Sequence, residues 1–116
     1  MKLIVAGSRT FNNFPLLRTT LDKILSNSEG PIEIVSGAAK GADLLGETYA
    51  EERGYPVKRF LADWDSLGRM AGFARNKQMA EYATHCVCFW DGESRGTRHM
   101  IELSKHRGLP VRVIRF

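Results

Sequence analysis

Five short runs rich in β-branched or aromatic residues recur along the chain: "KLIVA" from residue 2, "IEIVS" from 32, "VKRFL" from 57, "HCVCFW" from 85 and "VRVIRF" from 111. Each is bounded by Gly, Pro or polar residues, which predicts five strands. Between them the apolar residues switch to helical spacing. Phe14, Leu17, Leu21, Ile24 and Leu25 share one face, with Pro15 suited to a first turn. Ala42, Leu45, Gly46, Tyr49 and Ala50 make a second stripe, stopped at Gly54, Tyr55 and Pro56. A third helix is expected from about Met70 to Ala83, with Met70, Phe73, Ala74 and Ala80 inward. A fourth runs from near Thr97 to Gly108, with Met100, Ile101 and Ser104 inward. Each parallel pair needs a covered crossover, so strands alternating with helices predict a parallel sheet with helices on both faces. The expected fold is α/β, a small three-layer domain with five strands in the order 3-2-1-4-5.

A chain of 116 residues is expected to form one domain, residues 1–116, because two independent cores of half that size would each be marginal. No apolar run approaches the length of a membrane span, and the opening "MKLIVAGSR" is too short for a signal-peptide core, which predicts a cytoplasmic protein without membrane contact. Cys86 and Cys88 alternate onto one strand face as buried thiols, with no second cysteine pair to complete a metal site. The net charge of +4 leaves an anionic partner open, nucleic acid included, yet no basic run or tail marks a nucleic-acid arm.

In such a sheet, ligands bind beyond the carboxyl ends of the strands, where the strand order reverses. The segments that follow the strands there are "AGSRTFNN", "SGAAKGAD", "LADWDSLGRMAG" and "WDGESRGT", whereas the opposite connections are plain helix stops. "SGAAKGAD" (residues 36–43) packs two glycines and three alanines into eight positions. Small residues let a backbone close on an anion at a helix N-terminus; they equally suit a tight turn that packs helix against strand. In "DGESRGT", Gly92 and Gly96 permit the turn and Thr97 is placed to cap the next helix, whose first N–H groups are then free for an anion. Arg9 and Arg75 are the candidate cationic partners, since guanidinium binds phosphate bidentately, against the alternative of solvated surface arginines. Asp43 either complements the helix dipole or hydrogen-bonds ribose hydroxyls. Trp64 and Trp90 are candidate stacking surfaces for a base, and Trp90 equally suits core packing.

Together, "GSR" after the first strand, "SGAAKGAD", "ADWDSLGRMAGFARNKQMAE" and "FWDGESRGTRHMIE" resemble the YspA-type branch of the SLOG superfamily, in the right order from Met1 to about Gly108. That superfamily is Rossmann-like. It also takes in the Lonely Guy phosphoribohydrolases and the Rossmann-like domain of the DNA-processing protein A family. The resemblance implies binding of a nucleotide-derived small molecule, often as a sensor in bacterial or phage conflict systems, and a homo-oligomeric assembly. It implies ligand contacts from Gly7, Ser8 and Arg9, from Ser36, Gly37, Gly41 and Asp43, from Arg75 and Asn76, and from Gly92, Ser94, Gly96 and Thr97; Ala38 in the second segment and Trp90 at the end of the fourth strand complete the expected nucleotide-binding set. No cofactor and no metal are expected.

One departure bears on catalysis. The hydrolases carry an acid two residues after the threonine of the last loop, where this chain has His99. N-glycosidic cleavage builds positive charge on the sugar, which a carboxylate stabilises and an imidazole at a helix start does not. The expectation is therefore a ligand-binding sensor or sequestering domain. An N-glycosidic hydrolase or transferase is the alternative, with Asp43 or Asp91 supplying the carboxylate, followed by DNA binding.

Overall fold

The computed structural model describes residues 1–116. Strand β1 (Lys2–Gly7) is buried on both faces, as an apolar run without polar alternation requires at the centre of a sheet. It pairs in parallel with β2 (Glu33–Ser36) on one side and with β4 (His85–Trp90) on the other. Strand β3 (Val57–Arg59) lies outside β2 and β5 (Val111–Arg115) outside β4, so the order is the expected β3-β2-β1-β4-β5 with every pairing parallel.

Because β1 alternates, its residues seed two cores. Leu3 and Val5 pack with Leu17 and Leu21 of α1 (Phe14–Leu25) and with Tyr49 and Ala50 of α2 (Ala42–Arg53). Ile4 and Ala6 pack on the other face with Met79 of α4 (Ala71–Tyr82) and with Met100 and Ile101 of α5 (Arg95–His106). The three layers and the reversal of strand order between β1 and β4 follow from this division. Cys86 and Cys88 share the second core, with their sulfurs 3.6 Å apart. No helix is long and apolar enough to cross a membrane.

Three local expectations need correction. The strand expected over "VKRFL" stops at Arg59, and the segment after it contains a one-turn helix, α3 (Trp64–Leu67), capped by Asp63, and a 3₁₀ turn at Gly68–Met70. That turn sets the phase of α4. Met70 points outward at 61% exposure, Phe73 and Ala74 are half-buried, and Asn76 and Met79 take the inner face beside Ala71 and Ala80. Finally, α5 is capped by Ser94 rather than Thr97; Thr97 sits buried in the first turn with its N–H on the Ser94 hydroxyl. Capping needs non-helical backbone, which Ser94 has and Thr97, already in the helix, lacks.

Candidate functional site

A cavity of about 380 Å³ opens at the carboxyl ends of β1 and β4, within the size range of small-molecule sites. Its walls come from the end of β1 and the segment after it (Gly7, Ser8, Arg9, Thr10), from Ala39 and Asp43 around the start of α2, and from the first turns of α4 and α5. Ser8 is the tie between the strand ends. Its N–H donates to the Phe89 carbonyl at 2.9 Å, and its hydroxyl accepts the Asp91 N–H at 3.1 Å. The backbone N–H groups of Arg9 and Thr10 close no hydrogen bond within the molecule.

Arg75 reaches across from α4 and donates Nη1 to the Gly37 carbonyl at 2.7 Å. Its Nε donates to Asn76 Oδ1 at 3.2 Å. The Asn76 amide in turn donates to the Gly96 carbonyl and to His99 Nδ1. A buried asparagine therefore holds the arginine and the start of α5 in one frame. Burial lowers the Arg75 pKa while Asp43 opposes that shift; even lowered, a guanidinium keeps its charge at neutral pH.

Asp43 is 5% exposed, and its Oδ2 accepts the Ala39 N–H at 3.3 Å. Burial raises its pKa from 3.8 to about 6, against the pull of the Ala39 N–H and of Arg75. Glu47, one turn further along α2, accepts from Ser36 at 2.6 Å and pairs with Arg59, bracing the floor beneath. Asp91 behaves differently. It accepts the N–H groups of Ser94 and Glu93, both at 2.8 Å, and these hold its carboxyl below the usual range.

Nine of the fifteen expected ligand contacts meet at this cavity: Gly7, Ser8, Arg9, Asp43, Arg75, Asn76, Ser94, Gly96 and Thr97. Ser36, Gly37, Ala38, Gly41, Trp90 and Gly92 lie outside its walls. The two glycines of the second loop are occupied by the protein itself. A Cβ at Gly37 would lie 2.8 Å from Asp43 Oδ2 and 3.0 Å from Arg75 Nη1. A Cβ at Gly41, with φ of +83°, would run into the Ser8 and Arg9 carbonyls. The space left by the missing side chains thus holds a guanidinium, a carboxylate and a second loop.

The last loop is also partly filled, because Asp91 and the Ser94 hydroxyl take N–H groups that the sequence reading left free for an anion. Trp90 donates its indole N–H to the Ser94 carbonyl and packs with the second core, flanked by Arg98 and Arg115, the latter against Gly92. His99 lies outside the cavity wall, its ring edge-on to Phe73 at 4.6 Å and its pKa lowered by burial.

Sequence reasoning missed Thr10, Arg69, Gly72 and Phe73, and Asp91 entered only as a substitute carboxylate. Arg69, Gly72 and Phe73 all fall in or just after the segment following β3, so their position at the ligand edge was the available signal. Helical phase hid it, because Phe73 read as core. Trp64 does reach the cavity, with its ring 3.6 Å from where a Gly72 Cβ would sit.

Comparison with known proteins now bears on this arrangement. The profile of the YspA, cpYpsA-related SLOG family matches residues 1–66. The chain belongs to that family. It is 32% identical over 116 residues to the Gene 61 protein of Mycobacterium phage D29, covering 95% of this chain and 93% of that protein. Among solved structures, the X-ray structure of DNA processing protein A (DprA) from Streptococcus pneumoniae superposes with a TM-score of 0.76 over 97% of this chain, at 20% identity. The present chain spans about half (49%) of that structure, and the likeness is one of fold.

Proposed function

We propose that this SLOG-family domain binds a nucleotide or nucleotide-derived small molecule in the cavity at the carboxyl edge of the sheet, as a sensor or sequestering domain. The observation that carries the reading is the meeting of Arg9, Arg69 and Arg75 with a buried carboxyl, Asp43, in one cavity at the point where strand order reverses. None of the three arginines has a salt-bridge partner. Guanidinium groups and the unpaired Arg9 and Thr10 amides suit phosphate; Trp64 and Phe73 offer aromatic surface for a base.

The test is native mass spectrometry of the purified protein for a co-purified small anion, followed by calorimetric titration with nucleotides. Arg75→Ala is expected to weaken binding at least about tenfold, the scale of one charge-assisted hydrogen bond, in a protein still folded by circular dichroism. Absence of any adduct together with flat isotherms would overturn the reading.

Cleavage of an N-glycosidic bond is a second reading, favoured by the Asp43 carboxyl opening on the cavity. His99 supports binding over cleavage, because it lines no part of the cavity and its Nδ1 is engaged by Asn76. Release of free base at several turnovers per second, abolished by Asp43→Asn, would move the assignment to an enzyme. Self-association is the remaining part of the proposal, supported by the exposed apolar side chains Leu61, Trp64, Leu67 and Met70 in one ten-residue segment.

A further inference from the structure

We infer that the opposite, amino-terminal edge of the sheet carries a second ligand site, one that takes a small organic carboxylate with an apolar body. A cavity of about 460 Å³ lies there between the end of α1 and the first residues of β1, β4 and β5, within the size range of small-molecule sites. The nucleotide reading leaves it unused, because the two cavities share no residue.

Strand register explains how the site is built. Leu3 is paired with His85 and Val87 with Arg112, and paired residues of neighbouring strands face the same side of the sheet. Leu3 and Val87 belong to the first core, so His85 and Arg112 also stand on the α1 side. On that side α1 and α2 pack over Leu3 and Val5 of β1, whereas α5 packs with β4 and β5 on the other face. Arg112 is therefore exposed across a gap from Lys23 in the last turn of α1, with Leu3, Ile24 and Pro110 as the apolar surface between them.

Charge sets the class of ligand. Lys23, His85 and Arg112 line the cavity and no acidic residue does, whereas the cavity at the carboxyl edge holds Asp43 and Asp91. None of the three basic residues has a salt-bridge partner. His85 Nδ1 is engaged by the Thr84 hydroxyl at 2.8 Å, and Nε2 closes no hydrogen bond within the molecule. The carboxyl end of a helix is a negative pole that opposes an anion. Here that opposition is reduced, since the Ser26 hydroxyl donates to the Lys23 carbonyl at 2.8 Å and the Ser28 N–H to the Leu25 carbonyl at 3.1 Å. A guanidinium facing an ammonium across an apolar floor suits a carboxylate, which arginine binds bidentately, while the floor takes the rest of the molecule. Phosphate is served less well. Pro110 has no N–H and the Cys86 N–H is taken by the Pro110 carbonyl, so this wall lacks the converging amides of a phosphate nest.

The experiment is titration of the isotope-labelled wild-type protein with phenylbutyrate, its neutral amide phenylbutyramide and inorganic phosphate, followed through backbone amide chemical shifts. It is repeated with a variant carrying both Lys23→Glu and Arg112→Glu, two exposed side chains outside the core. The expected result is saturable shifts at Leu3, Ile24, His85 and Arg112 with phenylbutyrate, an affinity roughly 10- to 100-fold above that of the amide, and loss of binding in the double variant. Shifts confined to the carboxyl edge around Ser8 and Asp91, equal affinity for acid and amide, or binding that survives the charge reversal would each overturn the inference. So would the absence of any shift at millimolar concentration, and so would tighter binding of phosphate than of phenylbutyrate, which would give the site to a phosphate-bearing ligand instead. The comparison of acid with amide on the wild type needs no variant to fold, and the nucleotide reading stands or falls separately, at the other end of the strands.

Discussion

Asp43 shows at the scale of one residue what the site costs the fold. An acid whose pKa is 3.8 in the unfolded chain and about 6 in the native protein binds more protons when folded between those values. Stability is therefore fully present below about pH 4 and falls as pH rises towards 6. At about 1.4 kcal/mol per pKa unit, the loss at neutral pH is roughly 3 kcal/mol. Asp43→Asn should recover most of it at pH 7 and change little at pH 4, read from urea midpoints at the two pH values. A variant no more stable than wild type at pH 7 would show that the carboxyl is not strained. Gly41 teaches a related lesson. Its positive φ and the approach of the Ser8 and Arg9 carbonyls make any Cβ disruptive, so Gly41→Val should lower stability along with any ligand affinity. The run of small residues was legible as a close approach; that the approaching groups are the protein's own loop and Arg75 was not, because both arrive from distant sequence.

At the scale of elements, strands and helices with a clear apolar face were readable, and helical phase next to an irregular turn was not. Helix α5 has Met100, Ile101 and Ser104 inward as its spacing predicts. In α4 the preceding 3₁₀ turn rotates the start, so Met70 leaves the core and Asn76 enters it. A buried asparagine is invisible to a hydrophobic pattern, although here it fixes both Arg75 and the α5 start. The packing of α2 on β1 gives a direct test. Gly46 faces Val5 so closely that a Cβ would lie 2.7 Å from one Val5 methyl and 2.9 Å from its Cβ. Gly46→Ala gains helix propensity of about 1 kcal/mol but overpacks this contact, which typically costs 1–3 kcal/mol. Net destabilisation in chemical unfolding is the expected outcome, and a more stable variant would mean that the helix shifts freely on the sheet.

For the whole molecule, self-association is the property that the sequence supported least and the surface supports better. Leu61, Trp64, Leu67 and Met70 are each about half exposed or more, and they crowd the segment between β3 and α4. Light scattering at micromolar concentration should give a multiple of 13.0 kDa, reduced by Leu67→Lys; a wild-type mass of 13.0 kDa would settle against assembly. The order β3-β2-β1-β4-β5 and the two-sided cover were determined by sequence alone, because apolar runs of strand length alternating with amphipathic helices admit few right-handed, uncrossed arrangements. The edge at which a ligand would bind followed from that topology, since glycine-rich segments gather on the carboxyl side of the strands. Which side chains line the cavity was decided only by tertiary structure. Ser36, Gly37 and Gly41 turn out to support Arg75, Asp43 and the first loop, while Arg69 and Phe73 come in from the segment after β3. The reason is physical. Pattern reports which face of an element is buried, whereas a site is made by hydrogen bonds and close approaches between segments far apart in the chain, whose partners no local spacing encodes.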